Sequence, residues 1–433
     1  MLRLTNLPAL AAVSIVCLSS CAQEPASPDY PHYVIAVELD PAGHSLDASV
    51  DLHFVSPHPD LQTASFLLHR EMGVTAVRGE RVSGSEFDRA ADLGIPWIPA
   101  GGRLVVSFDE PLDENESTSL HFEYGGVIDS WHPFSANTIS EEWTELGLYT
   151  PWFPYNYEDY GPFTYEVDVT IDGAYEVRGL GEAYRTPSGW QIESERALND
   201  IVLMASQDLK TIRVETDAYM VETHYTSLTD SIAARLAEDV ASVLSVYSDW
   251  YGATSERILS LVETKRDMGG GYARPGLIVL SNIAERATPE HRADLVRYFA
   301  HEAAHFWWSL APTASWEDWL NESFAEYSAL LILRDSVGDE AFQNRIARKK
   351  QESEDAPAIW GFDRSDNATA QNVLYNAGPV LLHELAARIS DERFLEWCRE
   401  LLRREVNSTE LALQVLRTLE GDDAADWLEA QLR

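Results

Sequence analysis

His301-Glu302-Ala303-Ala304-His305, followed seventeen positions later by Glu322 in Trp319-Leu320-Asn321-Glu322, restricts what this 433-residue chain can fold into more than any other feature. Two histidines four apart lie on one side of a helix, about one turn apart, so both imidazoles can reach one point. Glu322 can meet them only if a following segment turns back against that helix. The surrounding residues predict such a pair. Leu295, Val296, Phe299, Ala300, Ala303, Ala304, Trp307 and Trp308 give an apolar face of helical period. Thr288-Pro289-Glu290 supplies a cap, a first-turn proline and an acid for its start, and Pro312 lies beyond its end. Trp316 to Leu333 predicts a second amphipathic helix that returns Glu322 to the first.

Two imidazoles and one carboxylate make a three-donor set for one Zn2+ per chain, with a fourth position left for water. A purely structural zinc would ask for a fourth protein ligand, and only His301, His305 and Glu322 are evident. Glu302 follows the first ligand directly and is placed to take a proton from that water. The pattern therefore predicts zinc-assisted hydrolysis. The bland alternative, a helix with two ordinary histidines and a chance glutamate, does not account for the helical face, its caps and the returning acid together.

These words resemble the glutamate-zincin aminopeptidases, the family of membrane alanyl aminopeptidase (aminopeptidase N) and leukotriene hydrolase. Sixteen residues separate His305 from Glu322 here, a loop two shorter than that family usually has, around Ala311-Pro312-Thr313. Tyr375-Asn376-Ala377-Gly378 stands where the family has Tyr-Glu-Lys-Gly. The resemblance implies that Tyr375 is a catalytic residue whose neutral phenol stabilises the oxyanion. Gly269-Gly270-Gly271-Tyr272-Ala273-Arg274-Pro275-Gly276-Leu277 is similar to the family's Gly-Ala-Met-Glu-Asn-Pro-Gly-Leu edge strand, which implies that Gly270, Gly271, Tyr272, Ala273 and Arg274 line the substrate. Ala273 falls where the family glutamate grips the substrate's free amine, so strict aminopeptidase specificity is in question. Arg274 brings a positive charge that can hold a carboxylate bidentately or simply face solvent. Glu141 and Glu142 lie near the family's second amine-binding position and are expected to replace part of what Ala273 lacks. Glu326, one turn after Glu322, either orients a ligand or is a solvated helix glutamate. The resemblance covers a short form without the family's large carboxy-terminal helical domain.

Three functions stay open on these residues: an aminopeptidase-like zinc metallopeptidase, an endopeptidase or carboxylate-recognising peptidase, and a zinc-containing binding lipoprotein without catalysis. Intact Glu302 and Tyr375 argue against the last, because a binding site needs no general base. Charge removes another class. With 71 Asp plus Glu against 32 Lys plus Arg, a net −39, the chain repels nucleic acid. The acids are spread along the chain, as on a solvated surface. A peptide is the expected substrate. The oligomeric state is not legible.

Arg3 precedes an apolar stretch from Leu7 to Leu18, too short to span a bilayer, which predicts a signal peptide over 1–20. Leu18-Ser19-Ser20-Cys21 resembles a bacterial lipoprotein processing box, so Cys21 is the expected lipidation site, with a tether over 21–31 and a membrane-anchored place in the cell envelope. An ordinary signal peptide is the alternative. With Cys21 acylated, Cys398 is left as a core thiol and no disulfide forms.

The fold class expected is α+β in two domains. Residues 32–215 predict an antiparallel β-sandwich or saddle from alternating runs such as Tyr33 to Leu39, Ala48 to Val55 and Thr164 to Ile171. Residues 216–433 predict a thermolysin-like, mainly helical zinc catalytic domain, essentially helical after Ile283. The aromatic run Leu148 to Phe163 is read mostly as core and domain docking, with some rings walling the substrate site.

Overall fold

The computed structural model of the protein describes residues 30–95, 98–129, 138–157, 161–266 and 270–433. The expected signal peptide, Cys21, most of the tether and Gly269 lie outside the described residues.

Alternation decides the first half. Strand His32–Asp40 buries Tyr33, Ile35, Val37 and Leu39 and turns the residues between them outward. It lies in a seven-stranded sheet ordered Glu182–Thr186, Gly189–Leu198, Phe163–Ile171, His32–Asp40, Ser45–Val55, Ser117–Val127, Gly73–Arg78. The expectation of a wholly antiparallel sheet needs one correction, because His32–Asp40 and Phe163–Ile171 run parallel. No hairpin joins those two strands, so turn geometry does not fix their relative direction. A three-stranded sheet, Leu61–His69, Gly101–Leu112 and Val82–Asp88, packs on the larger one. Phe66 supplies the contact, with its ring edge-on to Phe54 at 6.1 Å and to Phe122 at 5.4 Å. Trp152, Phe153, Tyr155 and Phe163 of the aromatic run are buried in this core.

A five-stranded sheet joins the halves, in the order Lys210–Glu215, Met220–Tyr225, Ile258–Thr264, Leu277–Ser281, Tyr272–Arg274. Its inner pairs are parallel and its outer pairs antiparallel. Strand Lys210–Glu215 belongs to this sheet although it precedes residue 216. Leu259, Leu261, Ile278 and Leu280 point into the helical core, whereas Val262, Tyr272, Leu277 and Val279 point into the β core. A sheet buried on both faces reads as a nearly unbroken apolar run, as Leu277-Ile278-Val279-Leu280 does.

Helices follow. Helix Asp230–Tyr251 is capped by Thr229, whose hydroxyl accepts from the Ile232 amide at 3.3 Å, and closes at Gly252 with φ +99°. The motif helix is Arg292–Ala304, and the return helix is Trp319–Ser336. Thr288-Pro289-Glu290 does not start the motif helix, since Pro289–His291 forms a separate 3-10 turn before it. Nor is the return helix amphipathic. From Trp319 to Leu333 every residue is buried except Glu322. Ala325, Ser328 and Ala329 supply small side chains where amphipathic helices show charge, so neighbours close around the whole circumference. Cys398 is a buried free thiol in this core. Among the described residues no helix is long and apolar enough to cross a membrane.

Phe66 bridges two sheets with no exposure. Phe66→Ala is expected to lower unfolding stability by about 3–5 kcal/mol, measured by urea titration. A loss below about 1 kcal/mol would mean that the two sheets do not depend on this contact.

Candidate active site

His301 lies in the last turn of the motif helix, and His305 stands just past its final residue with φ −65° and ψ −10°. The loop that follows is pinned by Asn321. Its side-chain oxygen accepts from the Ala311 amide at 3.0 Å, and its amide donates to the Ala311 carbonyl at 2.9 Å. The same amide donates to Asp318 at 3.0 Å, and Arg364 holds that acid from the other side at 2.9 Å. This fastening starts the return helix where Glu322 faces the histidines.

The three donor atoms form a nearly equilateral triangle. His301 Nε2 is 3.3 Å from His305 Nε2, and Glu322 Oε2 is 3.3 Å and 3.6 Å from them respectively. The neighbours of each ring show which nitrogens face inward. His305 Nδ1 stands 2.9 Å from the Trp308 carbonyl, which can only accept, so this nitrogen carries the proton and Nε2 presents a lone pair. His301 Nδ1 stands 3.1 Å from Glu326 Oε2, an acceptor as well. Two lone pairs thus face each other across 3.3 Å, beside a buried Glu322 Oε2 that has no hydrogen-bond partner. A positive charge belongs between them. A tetrahedral zinc with bonds of about 2.0–2.2 Å holds its donors about 3.3–3.6 Å apart, so the residues fit that ion. His301, His305 and Glu322 are the one such cluster of potential ligands among the described residues.

Electrostatics agree. Burial works against charge on His301, but Glu322, Glu326 and Glu302 outweigh it and raise its pKa to about 10. Burial would likewise raise Glu322, yet His305 and His301 hold its carboxyl well below the usual range. The cluster takes a proton when it has nothing better, and a cation binding there must displace it.

Glu326 is not the solvated helix glutamate that one reading of the sequence allowed. It is fully buried. Arg297 donates to it at 2.7 Å and Lys349 Nζ lies 2.6 Å away. Held from both sides, it stands with Oε2 3.1 Å from His301 Nδ1.

Glu302 is buried beneath the edge strand Tyr272–Arg274 and the glycine before it. A methyl group at Gly271 would stand 2.5 Å from the Val279 carbonyl and 3.1 Å from the Glu302 side chain, so glycine is required for this approach. Burial raises the Glu302 carboxyl, with His301 and His305 opposing. Tyr375 lies across the site, its ring 5.5 Å from the His301 ring. Burial, then the charge of Glu322 with which it hydrogen-bonds, pushes its phenol well up, so it is a neutral donor.

Of the edge-strand residues expected to line the substrate, Gly271 lies against the Glu302 side chain, whereas Arg274 turns away. It donates to the buried Asp200 at 2.8 Å and packs over the rings of Tyr149 and Tyr272 at 5.1 and 5.2 Å. Its partner is an acid of the β half, 74 positions away, and no substrate carboxylate is needed to account for its charge. Glu141 and Glu142 lie on the surface, and Glu142 lies 3.2 Å from Lys265. Glu145, missed by the sequence reading, is the acid that turns inward. It is fully buried and accepts from Trp143 at 2.9 Å, Thr264 at 2.5 Å and Tyr272 at 3.1 Å. Arg266, also buried, faces both Glu145 and Glu302 electrostatically and donates to the Gly270 carbonyl. Glu145 lies in the three-residue strand Thr144–Leu146, buried throughout and next to the buried Trp143.

Compared by sequence, the chain matches no family model and no curated protein. Compared by structure, it is similar to M1 zinc metallopeptidases. A mutant of the Deinococcus radiodurans enzyme solved with a Tyr-Ser-Ala substrate superposes with a TM-score of 0.71 at 18% identity, over 94% of each chain. The unmutated enzyme from that organism gives 0.71 at 17%, over 94% of this chain and 93% of that one. A mutant two-domain M1 zinc metallopeptidase bound to L-tryptophan gives 0.67 at 18%, over 94% and 95%. At these identities the likeness establishes the fold: a two-domain α+β architecture of the M1 peptidase kind.

Glu326→Gln keeps the shape of the side chain and removes the charge beside His301. Zinc affinity is expected to fall about 10–100-fold in chelator competition on the folded protein. An unchanged affinity would show that Glu326 does not orient the ligand.

Proposed function

We propose that the chain is a zinc-dependent peptidase of the aminopeptidase-like kind, with His301, His305 and Glu322 as the ligands of one zinc. The observation that carries this reading is the triangle of donors at 3.3, 3.3 and 3.6 Å with Glu302 next in the chain to one of them. Bound zinc supplies Lewis-acid polarisation of the scissile carbonyl and lowers the pKa of water. Glu302 is the general base. Buried beside the edge strand, it takes the proton of the attacking water and returns it to the leaving amine. Tyr375, neutral and a donor, hydrogen-bonds the oxygen on which charge develops. The edge strand offers Gly270 to Ala273 along the substrate backbone.

The aminopeptidase version needs negative charge near the bound amine. Ala273 does not supply it and Glu141 and Glu142 face outward, which leaves Glu145, held against Tyr272. The carboxylate-recognising version loses its motive with Arg274 engaged by Asp200. An endopeptidase remains the second reading, since no acid stands at position 273.

The tests are direct. Glu302→Gln is expected to retain zinc and lose peptide hydrolysis by about 100-fold or more. Equal rates in wild type and variant, from zinc-loaded preparations, would favour a binding protein. Peptides with free amino termini are expected to turn over and their acetylated forms not; equal turnover of both selects the endopeptidase.

We also propose a lipid anchor at Cys21 in the bacterial cell envelope, supported by the Leu18-Ser19-Ser20-Cys21 ending after a short apolar stretch. Metabolic labelling with a fatty acid is expected to mark the full chain and to leave Cys21→Ala unlabelled. Label retained by the variant would place the modification elsewhere.

A further inference from the structure

Tyr375 sits in an unusual piece of backbone. Helix Asn367–Asn372 runs through a widened π turn, Val373–Ala377, into helix Gly378–Ile389. Two carbonyls of that turn lack their regular helical donors. In an α-helix the Leu374 carbonyl would accept from the amide of residue 378, but the Gly378 amide donates to Val373 instead. The Tyr375 carbonyl would accept from residue 379, which is Pro379 and has no N–H.

Both are taken by buried side chains from other helices. Ser323, next to Glu322 on the return helix, donates to the Leu374 carbonyl at 2.8 Å. Lys349, on helix Asp339–Glu352, donates to the Tyr375 carbonyl at 2.6 Å. The close approach is built in, since a methyl group at Gly378 would stand 2.0 Å from the Ser323 hydroxyl. Lys349 is 6% exposed, and its other contact is Glu326 Oε1 at 2.6 Å, the carboxylate whose second oxygen faces His301 Nδ1 at 3.1 Å. One ammonium group therefore touches both the group that orients His301 and the backbone that carries Tyr375.

We propose that Lys349 is a positioning residue: its ammonium group, with Ser323 alongside, fixes the Tyr375 hydroxyl at a set distance from the ligand cluster by bridging the Glu326 carboxylate to the Tyr375 carbonyl. The inference rests on the reading of the site as a zinc peptidase and of Tyr375 as its oxyanion donor. Lys349 meets no reacting atom and acts through Tyr375. Widening the turn frees the Leu374 carbonyl for Ser323, Pro379 leaves the Tyr375 carbonyl without its helical donor, and a buried cation tied to the neighbouring helix claims it. The outcome is a phenol whose place is set from the metal-ligand side and not by its own helix.

The test is a double-mutant cycle on the zinc-loaded full chain, with kcat, KM and zinc content measured for each member. Lys349→Met keeps length and removes the donor. It is expected to lower kcat about 10–100-fold, as a misplaced catalytic group does, with KM within about twofold and one zinc per chain retained. Tyr375→Phe is expected to lower kcat at least as far. In the Tyr375→Phe background, Lys349→Met is expected to cost less than about twofold further, because the hydroxyl it positions is already gone. Full additivity, the behaviour of a residue that merely supports the fold, overturns the proposal, as does a Tyr375→Phe variant as active as wild type. If Lys349→Met does not fold, Ser323→Ala enters the same cycle with the same expectation, and additivity there has the same force. A wild-type chain that binds zinc and cleaves no peptide overturns the peptidase reading, and this inference with it; an active wild type with an additive cycle overturns this inference alone.

Discussion

A carboxylate with no solvent exposure, on a helix buried all round, is the constraint around which the helical half is arranged. Glu326 cannot be ionised there without cations, and leaving it unpaired would cost several kcal/mol. Its partners come from different places: Arg297 from the motif helix, Lys349 from the helix that follows the return helix, and the His301 ring itself. Satisfying one charge therefore fixes three helices against one another. Glu326 also stands 3.1 Å from His301 Nδ1, while the other ring nitrogen faces Glu322 and His305. Packing and ligand geometry are not separate achievements in this core; the same contacts produce both.

The β half completes the site from behind. Strand Tyr272–Arg274 has only three residues in register with Val279, Ile278 and Leu277, which alone is a weak hold on an edge. Three further ties come from outside the five-stranded sheet's helical side: Asp200 to Arg274, Glu145 to Tyr272, and Arg196 to the Pro275 carbonyl at 3.1 Å. Tyr149 stands edge-on to Tyr272 at 5.5 Å, so one ring of the aromatic run does reach this strand. The strand beside Glu302 is thus held in part by residues that precede the helical half in sequence. The β half, which contributes none of the three clustered donors, still determines how much room lies above Glu302.

Much of this was legible because the relevant signals are local. Helical spacing places His301, Glu302 and His305 together, and strand alternation marks most of the β half. Position-specific words then locate Glu322 and Tyr375. What was not legible depends on partners far away in sequence. Glu326 recurs one turn after Glu322, a spacing equally fit for a solvated face; only the closure of neighbours around the helix decides it. Arg274 looks like a free cation until Asp200 is placed beside it. Among Glu141, Glu142 and Glu145, the strand beginning at Thr144 carries the inward one, and a reading that did not recognise so short a strand chose the two just before it. The turn at Tyr375 has no composition of its own, although Pro379 shows in retrospect why a regular helix would leave a carbonyl unanswered.

The charge balance bears on the same site. With 32 basic residues against 71 acidic ones, the chain nevertheless keeps Arg266, Arg274, Arg297 and Lys349 largely inside, each facing a buried acid or the active site. Because each interior cation is matched by an interior acid, the net charge of −39 stays with the exterior. Such a field raises the local concentration of cations and depletes anions, within a range of about 8–10 Å at ordinary ionic strength. For a peptide approaching the site, that sign favours an ammonium end leading and opposes a carboxylate end. The interior pairing of Arg274 and the exterior excess of acids therefore agree: neither leaves a free positive charge near the edge strand to hold a carboxylate.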